Sequence, residues 1–238
     1  MVYKYFTAEN YENFASGRVI YHRAGFSNYP TRLAGELFYR CLEYSKVKEN
    51  ICLYDPCCGG SYMATTLGFL CNEVIERIYC SDILTEAVKL SLKNLALLTR
   101  GGLARRRIEI ENQIKMYSKK SHTEALESLE KIECYVRREI QANVFLSDVL
   151  NGSEIANQDF MADIVMTDVP YGSLVNWHGG GNGEELDGLL KGIQPVTTTN
   201  TVIAISYNKK HKMKINEHEI IERINVGHRK IVIIKCKK

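Results

Sequence analysis

Four short apolar runs in this chain each lead into an aspartate, and that recurrence is the strongest constraint on its fold. Ile51-Cys52-Leu53-Tyr54 leads to Asp55, Arg77 to Cys80 leads to Asp82, Val144-Phe145-Leu146 leads to Asp148, and Ile164-Val165-Met166 leads to Asp168. Runs of this length read as buried strands. Two further runs lie within Thr201 to Ser206 and Arg229 to Cys236. Helical stretches separate them. Ser61 to Leu70 is apolar on a helical period. Thr85 to Leu98 sets Ala87, Val88, Leu90, Leu92, Leu95 and Leu98 on one face, with Gly101-Gly102 as its stop. Such alternation gives an α/β fold, with a mostly parallel central sheet covered by helices on both faces. Ligands of these sheets bind beyond the carboxyl ends of the strands, so the four aspartates share one rim.

The 238 residues, 45% hydrophobic and 25% charged, suit one domain with a full core and exclude wholesale disorder. Residues 1–48 form an N-terminal helical extension, in which Pro30 to Tyr44 carries Leu33, Leu37, Phe38 and Leu42 on one face. Residues 103–142 are charged and strand-poor and read as a helical insert, broken near Ser118 to Ser121. No run approaches the roughly 20 apolar residues of a membrane span, and Met1 to Asn10 has no apolar signal region, so the expected address is the cytoplasm. The 8 cysteines form no CxxC pair and the 6 histidines have no ligand spacing; we expect free thiols and no metal.

Charge is unevenly spread. The net charge is +3, but residues 145–206 carry 1 basic and 8 acidic side chains, while residues 207–238 carry 10 basic and 3 acidic. An acidic centre beside basic flanks suits an enzyme that works with carboxylates and holds a polyanion at its rim. The dense clusters are Arg105-Arg106-Arg107 and Lys209-Lys210-His211-Lys212-Met213-Lys214. Lys209, Lys210 and Lys212 follow the fifth strand on the ligand-binding rim. With Arg18 and Arg32 they are candidate RNA-phosphate contacts. Trp177, beside Gly179-Gly180-Gly181, is a candidate base-stacking residue.

The turn Asp55-Pro56-Cys57-Cys58-Gly59-Gly60-Ser61 has neither the GxGxxG dinucleotide fingerprint nor the Gly-Lys-Ser/Thr of a phosphate loop. Its aspartate would repel a pyrophosphate. It suits a ligand with a cationic amino-acid end and no phosphate, which S-adenosylmethionine provides. Asp55, Cys57, Gly59, Gly60 and Ser61 are the candidate cofactor residues of that turn. Asp82 is placed for ribose hydroxyls and Asp148 for the adenine amino group. Thr167-Asp168-Val169-Pro170-Tyr171-Gly172 is similar to the Asp/Asn-Pro-Pro-Tyr motif of amino-methyltransferases. A ring-conjugated nitrogen is a poor nucleophile. Asp168 can accept its N–H and offset developing charge, helped by the Val169 and Pro170 carbonyls. Tyr171 offers a face to an unstacked base.

Together, Asp55-Pro56-Cys57-Cys58-Gly59, Asn94-Leu95-Ala96-Leu97-Leu98 and Thr167 to Gly172 resemble the avilamycin-resistance rRNA methyltransferase family. Ser16-Gly17-Arg18-Val19, Pro30-Thr31-Arg32-Leu33-Ala34, Trp177 and Gly227-His228-Arg229 extend the likeness over nearly the whole chain. The resemblance implies a Rossmann-like class I methyltransferase fold, S-adenosylmethionine as methyl donor, and a guanine nitrogen (N1 or N2) of large-subunit 23S ribosomal RNA as target, naked or in a ribosomal subunit. It also implies protection from orthosomycin antibiotics. The chain departs from the family at Gly59-Gly60-Ser61, where Gly-Ser-Gly is expected, at Val169 for leucine, and at Ser173-Leu174-Val175-Asn176. Rival readings are a methyltransferase of tRNA guanine, DNA or a protein glutamine, and a non-catalytic RNA-binding assembly factor.

Overall fold

The computed structural model describes residues 1–15, 17–26, 28–169, 185–209 and 218–236. Each apolar run is a strand: β1 Ile51–Asp55, β2 Ile75–Asp82, β3 Gln141–Leu146, β4 Ile164–Asp168, β5 Val202–Asn208 and β7 Arg229–Cys236, joined by β6 His218–Val226. They form one seven-stranded sheet in the order β3-β2-β1-β4-β5-β7-β6. The first five strands pair in parallel, whereas β7 is antiparallel to both β5 and β6. All five residues of β1 are buried, as a central strand covered on both faces must be. From β1 the chain moves outward to β2 and β3, then returns to β4 on the other side. The crevice beyond β1 and β4 is therefore the topological switch point, where open α/β sheets bind ligands.

The helices are α1 Thr31–Tyr44, α2 Tyr62–Leu70, α3 Thr85–Ala96, α4 Arg100–Tyr117, α5 Lys120–Glu133, α6 Ser153–Ala156 and α7 Glu185–Gly192. One core cluster joins α1 residues Leu33, Leu37 and Phe38 to β1 residues Ile51 and Leu53. A second gathers Tyr54, Val165, Ile203 and Leu189. No described helix is long and apolar enough to cross a membrane.

Three elements differ from the sequence reading. Gly101-Gly102 does not end the helical region. Thr99 caps a new helix, its side chain accepting the Gly102 N–H at 3.0 Å, and α4 runs on through both glycines. The glycine is needed because a Cβ on Gly102 would lie 1.7 Å from the Ala96 carbonyl oxygen, so α3 and α4 meet backbone to backbone. The insert is a pair of helices that begins at Arg100, and its last two residues, Gln141 and Ala142, already belong to β3. Strand β6 has no apolar run: Glu219, Glu222 and Arg223 interrupt it, as suits a charged edge strand that resists pairing with other chains.

The N-terminal segment is tied to α1 by a buried carboxylate. Glu36 is fully buried and accepts the backbone N–H groups of Lys4 at 2.9 Å, Tyr5 at 2.7 Å and Phe6 at 3.1 Å, and Arg40 Nε at 2.8 Å. Those donors more than offset the cost of burial and hold its carboxyl below the usual range.

Candidate active site

The turn after β1 is held from two sides. The amide of Gly59 donates to Asp82 Oδ2 at 2.8 Å, and the amide of Cys58 to the Ser81 carbonyl at 3.0 Å. From beneath, α3 supplies Ser91 and Asn94. Ser91 Oγ donates to the Gly59 carbonyl and Asn94 Nδ2 to the Gly60 carbonyl, each at 2.8 Å. Asn94 also clasps Tyr21, accepting its N–H at 2.8 Å and donating to its carbonyl at 3.1 Å. The loop, α3 and the N-terminal extension thus form one hydrogen-bonded unit. Ser91 and Asn94 were not candidates from sequence, yet the signal existed: two polar residues three apart on the apolar face of α3. Gly59 needs its glycine because φ is 53°.

Ser61, the last candidate of the turn, is turned inward. It is fully buried with φ 54°, and its hydroxyl donates to Ser91 at 2.8 Å. Its side chain faces the interior and supports the turn. The Gly-Gly-Ser order puts the serine at the cap of α2.

Three carboxyls converge on the crevice. Asp55 is buried and accepts the Cys57 N–H at 3.3 Å. Burial, with the charges of Asp82 and Asp168, pushes its carboxyl up to about 7, against the Cys57 and Thr167 hydrogen bonds. Asp82 accepts from Gly59 and from the Leu84 amide at 2.9 Å, and burial still leaves its carboxyl raised. Asp168 is raised by burial in spite of Arg229 nearby. A crevice with three mutually repelling carboxyls favours a cationic ligand and disfavours a phosphate. Ile83 and Leu84, which follow Asp82, and Leu146, which pairs with it in β3, are exposed apolar side chains on that side. Asp148 is half-buried and accepts the Leu150 amide at 3.0 Å, closing the turn after β3. These features fit S-adenosylmethionine: acidic partners for an ammonium end, acceptors for ribose, and an apolar seat for adenine.

At the end of β4, Asp168 lies opposite Ser206 of β5. Thr167 Oγ1, Asp168 Oδ1 and Ser206 Oγ are buried here in no well-aligned hydrogen bond, with the Thr167 hydroxyl beside Asp55 and the Ser206 hydroxyl beside Asp168. Buried polar atoms are normally well satisfied, so this loosely bonded group marks a polar place at the end of β4 that is not locked into the fold's own hydrogen bonds. Asp168 Oδ2 lies 3.4 Å from Arg229 Nη2. Pro170, Tyr171, Trp177, Lys210 and Lys212 lie outside the described residues.

The RNA candidates separate. Lys209 is exposed just beyond β5, its amide donating to the His228 carbonyl at 3.0 Å. Arg18 and Arg32 each have partners within the fold. Arg18 pairs with Glu12, lies 3.7 Å from Glu124 and reaches Ser128 at 3.4 Å. Arg32 donates to the Phe6 carbonyl at 3.0 Å and lies over the Tyr3 ring at 3.8 Å. Both fasten the N-terminal extension. Sequence alone shows their charge but not these partners.

A parallel sheet closed by an antiparallel β6–β7 pair, with acidic strand ends around a phosphate-averse crevice, defines a Rossmann-like methyltransferase. The chain belongs to the family of the rRNA methyltransferase AviRa, whose family model matches residues 1–229. A 23S rRNA (guanine(2535)-N(1))-methyltransferase of Streptomyces viridochromogenes is 31% identical over 237 residues, covering 93% of this chain and 90% of that protein. The structure of rRNA methyltransferase AviRa from the same organism superposes with a TM-score of 0.87 at 28% identity, covering 96% of this chain and 94% of that one. TrmN from Thermus thermophilus, 11% identical over 90% of this chain and 51% of its own, shares the fold with a TM-score of 0.51.

Proposed function

We propose that this chain methylates N1 of a guanine in large-subunit ribosomal RNA, with S-adenosylmethionine as methyl donor. The observation that carries the reading is Asp168: a largely buried carboxyl at the switch point, with one oxygen in no well-aligned hydrogen bond, beside a crevice suited to a cation. Membership in an rRNA methyltransferase family, and the N1-guanine activity named for the relative from Streptomyces viridochromogenes, support the choice of RNA and of atom.

In this reading Asp55 faces the ammonium end of the cofactor, Asp82 the ribose and Asp148 the adenine amino group. Cys57, Gly59 and Gly60 line the turn. When bound, the cofactor supplies an electrophilic methyl group on a sulfonium. Asp168 accepts the N1 proton of guanine. Asp168 thereby frees the N1 lone pair for the methyl group that the bound cofactor would supply, and passes the proton on to solvent. Alignment within the closed site supplies much of the rate. Pro170 shares the polar contact through its carbonyl and Tyr171 stacks on the base, both from the motif alone. Lys209, Lys210 and Lys212 hold phosphates, and Trp177 stacks or closes over the base. The chain is one methyltransferase domain acting in the cytoplasm on ribosomal RNA or its subunit. The mark it leaves protects the ribosome from orthosomycins.

The test separates binding from chemistry. Asp168→Ala is expected to bind S-adenosylhomocysteine within about threefold of wild type while labelling of unmodified large-subunit RNA falls by a factor of about 100 or more. Undiminished labelling would refute the assignment of Asp168. Label in tRNA, DNA or protein instead would support a rival methyltransferase. Cofactor binding with no label in any of them, assembled subunits included, would support the assembly factor.

A further inference from the structure

Strand β7 runs against the parallel strands, so its first residue lies level with their carboxyl ends. Arg229 pairs with Asn208, the last residue of β5, and Asp168, the last of β4, pairs with Ser206. The β6–β7 hairpin has the two-residue loop Gly227-His228, with Gly227 at φ 54°. This tight turn fixes where β7 starts. Arg229 is thereby delivered into the crevice. Its Nη2 lies 3.4 Å from Asp168 Oδ2, and its Nη1 lies 3.4 Å from His228 Nε2. The guanidinium carbon is 5.2 Å from the centre of the Tyr29 ring, a buried residue just before α1. The Arg229 and Asp168 side chains retain only 11% and 15% of their exposure.

The pairing places a fixed donor beside a fixed acceptor. A guanidinium carries five N–H donors and cannot be discharged, and the plane of Tyr29 limits its orientation. Asp168 is an acceptor with one oxygen in no well-aligned hydrogen bond. The Watson–Crick edge of guanine presents the matching order, an N1–H donor next to the O6 acceptor. Adenine presents the opposite order, an N1 acceptor next to an N6 donor pair. Loss of the N1 proton also moves negative charge onto O6, where a guanidinium would stabilise it.

Resting on the reading of Asp168 given above, we propose that Arg229 determines base specificity: it donates to O6 of the target guanine while Asp168 accepts from N1, and the two together reject adenine. A site built to hydrogen-bond one edge rejects a base that leaves its buried polar groups unpaired.

The test uses the full chain with S-adenosylhomocysteine and a large-subunit RNA fragment containing the guanine that wild type labels. Matched fragments carry inosine or adenosine at that position. Wild type is expected to bind the guanosine and inosine fragments alike, because inosine keeps N1–H and O6, and the adenosine fragment at least tenfold more weakly. Arg229→Met should reduce the guanosine-to-adenosine ratio by tenfold or more and lower kcat, with S-adenosylhomocysteine affinity within about twofold and the thermal midpoint within a few degrees. Arg229→Lys, which keeps the charge without the fork, should fall between. An Arg229→Met ratio equal to wild type would overturn the proposal. So would loss of cofactor affinity and folding by Arg229→Met and Arg229→Lys together, which would show a structural role. If wild type labels no guanine, the underlying reading fails instead.

Discussion

Asp82 Oδ2 accepts the amide N–H of Gly59 at 2.8 Å, so the acidic end of β2 clasps the turn that follows β1. The same carboxylate accepts the Leu84 amide through Oδ1. It therefore shapes two loops of the crevice while keeping acceptor capacity for a ligand. Asp82→Ala is expected to weaken S-adenosylhomocysteine binding by at least tenfold, since a hydrogen bond to a charged group is worth about 1.5–3 kcal/mol. Asp82→Asn should recover part of the loss. Isothermal titration of both variants checks this.

Asp55 predicts a pH dependence of cofactor binding. Its folded carboxyl sits at about 7, above the ordinary 3.8. A raised value means that the folded state holds the proton more tightly than the unfolded state. Its contribution to stability is full below 3.8 and is lost as pH rises to about 7, levelling above that. A cationic ligand favours the ionised form, so binding should strengthen with pH up to about 7 and release a proton there. Titrations in buffers of different ionisation enthalpy measure that proton, and Asp55→Asn should abolish it.

Glu36 carries a stability prediction of opposite sign. Its carboxyl is held below the ordinary range of 4.5, so its stabilisation is present above 4.5 and lost as pH falls through the folded value. Glu36→Ala leaves three backbone N–H groups and Arg40 without their acceptor. A loss of about 3 kcal/mol is expected in urea unfolding at pH 7.

The two glycines of α4 should behave differently. A Cβ at Gly102 would lie 1.7 Å from the Ala96 carbonyl oxygen, whereas the nearest atom to one at Gly101 is an Arg105 nitrogen at 3.8 Å. Gly102→Ala is expected to cost about 2 kcal/mol or more. Gly101→Ala, exposed in a helix, should be neutral or stabilising by up to about 1 kcal/mol. Thermal unfolding of the pair discriminates packing from propensity.

The strands and their terminal aspartates were legible because buried parallel strands are uninterrupted apolar runs, and because ligand chemistry gathers where they stop. Strand β6 was not, since Glu219, Glu222 and Arg223 erase the periodic signal at a charged sheet edge. Gly101-Gly102 resembles a helix stop, and only the close approach to Ala96 shows its other use. Asp55, Asp82 and Asp168 were placed at strand ends from position alone, and they do end β1, β2 and β4. Ser91 and Asn94 were missed because their task is set by a loop 30 or more residues away in sequence. The partners of Arg18 were hidden in part for the same reason: Glu12 is only six residues back, but Glu124 and Ser128 meet it only in the folded chain.

The most direct measurement is the identity of the methylated nucleoside. Purified protein is incubated with tritiated S-adenosylmethionine and unmodified large-subunit ribosomal RNA, beside tRNA and DNA, and the RNA is digested to nucleosides. The account predicts label in N1-methylguanosine from ribosomal RNA, absent with Asp168→Ala. Label in any other nucleoside, or in N1-methylguanosine undiminished by Asp168→Ala, would contradict it.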